Sequence, residues 1–519
     1  MRIFVCALLA CALLGSAYAE LQNVEVFGRI DVRYRYYRGA FNTATVPGGG
    51  PGREVRIPQA FLPRRATGDP LGVSSIFSFD RDRPEWKFTE LVTTLGMKAD
   101  FTNYVNALIE FYAFDNWGTD FRSDYITGAD FAGGGDVQIL QSYIEMNEIG
   151  GLPLRARIGR QRMRFDDGWL ISDRATPTLR IAWDGVLLTY ATPEFEVDAF
   201  ATKLFENSPF EKDGDIDFYG IRAAYKALEP VDLALWWYWL RDGRRFNDTN
   251  LSWLDEWFED LFGLDDYGTT NLHTVGGRAW GKSGALDYDL KLAYQFGQAD
   301  ALGSRFRIGS YGDHRARWGQ WAGELEIGYT FDVAWKFRPY VLGVYMGGED
   351  NRDISFREWL NPFHRPKASV SFNRLFSETN YAPACNDNAW MTNFAQLAAG
   401  ATFAPFEKVS VKTQLGYFRA IESFDWPAYF RVGRQRFLIA PELSWWTADS
   451  GKGIGWEWMN ILRYAYSENL SIILYYSRFF ADTAHTRDGH YVYFNGTGFS
   501  GGTADDDVDY FFLWFILTF

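Results

Sequence analysis

Apolar and polar side chains alternate with a two-residue period, at strand length, along most of these 519 residues. That periodicity is the signature of β-strands with two different faces. In the first such segment Val24, Val26, Ile30, Val32, Tyr34 and Tyr36 share one face, broken only by Gly28, while Glu25, Arg29, Asp31, Arg33 and Arg35 share the other with Phe27. Leu286, Tyr288, Leu290, Leu292, Tyr294 and Phe296 likewise oppose Asp287, Asp289, Lys291, Ala293 and Gln295. Trp321, Leu325, Ile327, Tyr329 and Phe331 oppose Gln320, Glu324, Glu326 and Thr330. Segments of this kind begin near residues 24, 86, 103, 137, 154, 179, 194, 215, 230, 270, 286, 317, 335, 390, 407, 454, 470 and 508.

The connections between them alternate in length. Long ones cover 37–85, 115–136, 166–178, 207–214, 244–269, 298–316, 348–389, 422–453 and 483–507. Short ones fall at 102–103, 148–153, 193, 229–230, 282–285, 332–333, 405–406 and 467–469. Long loops on one side and short turns on the other are the pattern of a transmembrane β-barrel, with the apolar faces toward lipid and the polar faces toward the lumen. A closed barrel is also the β structure that leaves no unpaired backbone in lipid. The fold expected is therefore all-β, a single antiparallel barrel of 18 strands in the outer membrane of a Gram-negative cell. One further strand-like stretch, Phe437 to Thr447, would make the count odd and contains Pro441. It is read as an extracellular hairpin above the membrane.

Composition agrees. Mean hydropathy is −0.24, far too polar for a bundle of membrane helices, although aromatics reach 18%. Half-wet strands and aromatic girdles at both interfaces give that mixture. A formal charge of −14 argues against nucleic acid as a partner. Arg2, the apolar run Ile3 to Leu14 and Ala17-Tyr18-Ala19 form a signal peptide, residues 1–19, and the barrel occupies 20–519. Cys6 and Cys11 leave with the signal, so Cys385 has no partner for an internal disulfide. The last strand, Tyr510 to Phe519, has the length of a tilted transmembrane strand and offers a terminal phenylalanine to the barrel-assembly machinery. Only Glu20 to Asn23 precede the first strand, which leaves no room for an N-terminal plug domain. An 18-stranded barrel is wide enough for an aqueous channel. Loops must then narrow it, and 37–85, rich in Gly and Pro, is the expected candidate, with 348–389 a second.

Parity places Arg29, Arg33, Arg155, Arg157, Arg222, Lys226, Arg278, Lys291, Lys412 and Arg463 on the lumen face, opposed by Asp31, Glu110, Glu145, Asp289, Glu324, Glu326 and Glu457. Fixed charges in a low-dielectric pore select ions and steer solutes; as cross-strand ion pairs they would instead stiffen the wall. Arg155 to Phe165 carries five arginines in eleven residues, a residue suited to bidentate carboxylate recognition. Arg160, Arg162 and Arg164 have the opposite parity to Arg155 and Arg157. Either Gly159 marks a bulge, or the later arginines lie above the bilayer.

In this region the chain resembles the alginate-export family of outer-membrane barrels. The resemblance rests on Gly159-Arg160-Gln161, Asp167-Gly168, Trp183-Asp184-Gly185-Val186-Leu187-Leu188, Gly277-Arg278-Ala279-Trp280-Gly281, Tyr294-Gln295-Phe296-Gly297, the run Glu324 to Phe331 and Arg338-Pro339, within roughly residues 85–519. It implies an 18-stranded channel with a basic path for an acidic polysaccharide, and roles for Arg157, Arg160, Gln161, Arg278 and Gln295 along it. Unlike that pattern, the expected lumen here carries nearly as many carboxylates as cations.

Other signals are weaker. Trp253 to Phe262 reads as an acidic amphipathic helix in an extracellular loop. Asp213-Gly214-Asp215-Ile216-Asp217 and Asp505-Asp506-Asp507 offer oxygen ligands for Ca²⁺, without EF-hand spacing; no cofactor is expected otherwise. The sequence holds no G-x-S-x-G, H-E-x-x-H or C-x-x-C motif, and of its five histidines only His273 falls on a strand. An enzyme is therefore not expected. The expected function is a monomeric outer-membrane channel, porin or exporter, for hydrophilic and anionic carbohydrate solutes. The alternative is a non-conducting barrel that sheathes a protein partner or acts as an adhesin. A sheath would want a wide, sparsely charged lumen without a constricting loop.

Overall fold

The computed structural model describes residues 21–38, 85–102, 104–117, 137–174, 179–206, 215–243, 269–298, 317–348, 369–370, 372–385, 391–422, 452–482 and 507–519. It also describes the short strands 53–54, 78–79, 428–432, 435–439, 489–491 and 499–501. Eighteen long strands make one antiparallel sheet: β1 (Asn23–Arg38), β2 (Glu85–Thr102), β3 (Val105–Asn116), β4 (Gln138–Met146), β5 (Leu154–Gln161), β6 (Trp183–Ala191), β7 (Phe195–Phe205), β8 (Ile216–Leu228), β9 (Val231–Asp242), β10 (Thr270–Ser283), β11 (Leu286–Gln298), β12 (Arg317–Tyr329), β13 (Arg338–Met346), β14 (Phe394–Phe406), β15 (Val409–Ala420), β16 (Gly453–Ala465), β17 (Leu470–Ala481) and β18 (Val508–Thr518). Their starts fall at most four residues from those expected, at Trp183 and Phe394.

Each strand bonds its sequence neighbours, and β18 bonds β1, so the sheet closes into a barrel. Closure is completed where Gly28 N donates to the Phe519 carbonyl (2.8 Å) and Phe519 N to the Gly28 carbonyl (3.0 Å). The Phe519 ring covers Gly28, occupying the space a side chain there would need. No described helix is long and apolar enough to cross a membrane; a barrel crosses by its strands.

The lipid side is legible from the exposed apolar side chains, which alternate along strands: Leu95, Met97, Ile109 and Phe111 on β2 and β3, Val186, Leu188 and Tyr190 on β6. Near the end with long connections, Trp237, Trp239, His273 and Phe296 stack on this face with ring centroids 5.1–6.0 Å apart. Tyr329, Phe331, Trp335 and Phe337 form a comparable group at the opposite end. Two such belts are what interfacial anchoring requires.

The interior is filled in part by two connections that fold into the ring. Residues 162–174 and 179–182, between β5 and β6, fold inward, and the first of these stretches meets residues 372–385, between β13 and β14, along a short parallel bridge of Ile171 with Phe376. Ser172 N donates to the Phe376 carbonyl (2.9 Å), Phe376 N to Leu170 (2.9 Å) and Glu378 N to Gly168 (3.1 Å). Met163, Phe165, Trp169, Leu170 and Ile171 pack there with Phe372, Tyr381 and the wall residues Phe200, Phe218, Trp236 and Tyr238. Burying each large side chain of this kind stabilises by about 1.5–3 kcal/mol.

This corrects the expectation of a uniformly polar lumen face. On β7 to β9 the inward residues Phe200, Phe218, Trp236 and Tyr238 are aromatic, because they face an apolar insert rather than water. Of the loop 37–85, the expected constriction, 39–84 lie outside the described residues apart from two short strands, and 37, 38 and 85 belong to β1 and β2, whereas 348–389 contributes 372–385 to the interior. Gln435–Ile439 pairs with Ala428–Val432 as a hairpin separate from the barrel sheet, and 440–447 lie outside the described residues. So do Trp253 to Phe262, Asp213, Gly214, Asp505 and Asp506. Of the first acidic loop, Asp215 and Asp217 are described, and both pair with Lys203 (2.5 and 3.1 Å).

Candidate transport pathway

The described residues of 166–182 and 372–385 touch β1, β8, β11, β12 and β16, so the wall residues they meet point inward. Asp31 accepts Arg29 at 2.8 Å and the indole N–H of Trp514 at 3.1 Å. Arg33 pairs with Glu90 at 2.5 Å and lies 5.7 Å from the ring centres of Phe512 and Trp514. Arg157 donates to Glu145 at 2.7 Å and covers the Tyr143 ring at 4.4 Å, with Arg155 3.8 Å from the same carboxylate. Glu110 accepts the Gln141 amide at 2.6 Å.

On the far side the polar groups hold the inward segments to the wall. Arg222 binds Asp166 (2.6 Å), Glu196 (2.8 Å) and Asp198 (3.1 Å). Lys291 pairs with Asp167 and, at 2.6 Å, with Glu324, which also accepts the Tyr381 hydroxyl. Arg278 binds Asp289 at 2.7 Å. Gln295 donates to the Asn373 carbonyl (2.6 Å) and accepts from its N–H (2.7 Å). Glu326 binds Arg338 at 2.8 Å, and Lys412 sits 5.1 Å from the Tyr340 ring centre. Lys226 pairs with Glu196 at 3.2 Å. Glu457 accepts the Ala384 N–H at 3.1 Å, and Arg463 shares its strand parity nearer the short turns.

Gly159 has φ of 129° but makes no bulge: β5 stays in register with β4 and β6 across it. Alternation therefore continues. Arg155, Arg157 and the fully buried Gln161 face inward, and Arg160 faces outward beside Ile158, paired with Asp184 at 2.7 Å. Arg160 is thus on the outer wall and not among the inward residues, a correction to its expected place. Arg162 and Arg164 lie past the strand end, in the inward segment. The anchors Asp166, Glu378 and Tyr381 were not singled out from sequence, and Asp167 entered only as part of the Asp167-Gly168 motif of the resemblance, with no role as an anchor. A signal existed in Met163, Phe165, Trp169, Leu170 and Ile171, too apolar for a connection bathed in water.

Between the inward segment and the turn 147–153 lies a cavity of about 760 Å³, lined by Arg155, Arg157, Arg162, Arg164, Glu196 and Arg222 among others. Its charges are unequally presented. The side chains of Arg155 and Arg164, the latter paired with Glu378, are 43% and 39% exposed; Asp166 and Asp198, held by Arg222, are 8% and 7%, while Glu196 keeps 32% and Glu148 is exposed.

The sequence matches the family described as alginate export over residues 116–495, well over half of the chain. The chain belongs to the alginate export family. No curated protein matches the sequence. Among solved structures it is similar to OccK10 (OpdN) of Pseudomonas aeruginosa, with 11% identity and a TM-score of 0.47 over 95% of this chain and 99% of that one. OccAB2 of Acinetobacter baumannii gives 9% identity and a TM-score of 0.48 over 95% and 98%. As an alginate-export barrel, closed and belted by aromatics, the protein is an outer-membrane channel. Within the family match lie both inward segments and all of the cavity-lining arginines.

Proposed function

We propose that this barrel passes hydrophilic, anionic carbohydrate solutes, a class that includes acidic polysaccharides such as alginate. The observation that carries the reading is the water-accessible arginine surface of the 760 Å³ cavity. Carboxylates nearly equal cations in number there, and Glu148 and Glu196 stay accessible. Asp166 and Asp198, however, are turned into the wall against Arg222, whereas Arg155 and Arg164, although paired with Glu145 and Glu378, keep about two-fifths of their side-chain surface exposed. A planar donor fork suits a uronate carboxylate. The inward segments occupy the interior that a threaded protein partner would need, which weighs against a sheath. The reading includes export through a signal peptide cleaved near Ala19 and needs no catalytic step.

Block of single-channel current by an oligouronate tests it. Current through the wild type is expected to be interrupted by the acidic sugar and not by a neutral one of equal size. In Arg155→Gln/Arg157→Gln the block weakens by about tenfold or more, the loss of charge-assisted hydrogen bonds. Conductance indifferent to the acidic sugar would reject the substrate class while leaving the channel.

A further inference from the structure

Four arginines converge where Asp173, Arg174 and Arg180 meet β1. Arg29 and Arg180 share one carboxylate, Asp31, at 2.8 and 3.4 Å. Arg162 and Arg174 share another, Asp173: Arg162 donates to it directly, and Arg174 Nε lies 3.9 Å away. A backbone bridge between Arg174 and Arg180, with Ile181 N donating to the Asp173 carbonyl (2.9 Å), holds the two groups side by side. The intervening sequence is Ala-Thr-Pro-Thr-Leu and brings no charge. Arg162 also reaches Glu110 at 3.5 Å.

Among the described residues the cations are undersupplied with acceptors. The Arg180 side chain is 2% exposed, yet its Nε and Nη1 have no hydrogen-bond partner, and neither does Arg174 Nε. Guanidinium nitrogens removed from water without acceptors are costly, and a buried surplus of one sign is compensated by a counter-ion. Burial, then repulsion from Arg174, Arg29 and Arg162, pulls Arg180 down to about 10 against the weaker attraction of Asp31. Arg162 also lines the 760 Å³ cavity, so one member of the cluster borders it.

We infer that Arg180 and Arg174, flanked by Arg29 and Arg162, bind a small anion, either a resident inorganic ion or one carboxylate of a passing solute. The anion supplies the acceptors that Arg180 Nε and Nη1 lack and ties the inward segment to β1. The site stands whichever solute the channel carries.

Anomalous diffraction from full-length protein crystallised with bromide replacing chloride tests this directly. A bromide peak in contact with Arg180 and Arg174 is expected, falling by about tenfold or more in Arg180→Gln. Should that variant not fold, Arg174→Gln is expected to lower the same peak. Glucuronate soaked into the bromide crystals separates the sources: displacement identifies a solute subsite, and retention identifies a resident ion. Bromide bound elsewhere on the molecule but absent beside Arg180, or an equal peak in wild type and variants, would overturn the inference.

Discussion

At the scale of single residues, β5 shows how backbone conformation assigns a side chain to water, wall or lumen. A side chain at Gly159 would press on the Ser142 carbonyl and on Tyr143 Cα at 2.9 Å, and φ of 129° is open to glycine alone. Gly159→Ala should destabilise the barrel by about 1–3 kcal/mol, seen as a lower temperature of heat-modified migration on gels. An unchanged temperature would mean that the backbone relaxes freely there. Arg160 and Arg157 give a paired contrast. Arg160 pairs with Asp184 on the outer wall, away from the lumen, so Arg160→Ala should leave conductance unchanged, while Arg157→Ala alters it. Parity in the sequence sufficed for Arg33, Arg157, Arg222 and Lys291. It left Arg160 undecided, because a glycine with positive φ and a bulge look alike until register is known.

At the scale of elements, the strands were readable because each meets lipid on one face, which forces a strict apolar period. The inward segments were not, because their order comes from contacts distant in sequence. Trp169 donates to Tyr381 at 2.9 Å, and Gln295 clasps Asn373 from the opposite wall. β9 carried the available hint: Leu235-Trp236-Trp237-Tyr238-Trp239-Leu240 is apolar on both faces, so its lumen side must pack on protein. Removing the centre of that packing should loosen the insert. Trp169→Ala, at about 3–5 kcal/mol of lost packing, is expected to raise mean conductance and its fluctuations without unfolding the barrel. Conductance identical to wild type would show that the insert does not limit the path.

At the scale of the whole molecule, the closed ring, its two aromatic belts and its short-turn and long-connection ends follow from one alternating pattern repeated along the chain. The chemistry of the path follows from where that pattern is broken. Arg162 and Arg164 leave the wall with the inward segment, and the carboxylates of Asp166 and Asp167 are spent on anchoring it to Arg222 and Lys291. On the proposed reading, a chain with a formal charge of −14 still presents accessible arginine to its lumen at Arg155 and Arg164. Fixed charge of one sign at a narrow place controls which ion carries the current. The most direct measurement is the reversal potential of the purified protein in a planar bilayer across a KCl gradient. The account predicts a potential displaced toward chloride, moving toward zero in Arg155→Gln/Arg157→Gln. A potential displaced toward potassium, or a barrel that inserts and never conducts, would contradict it.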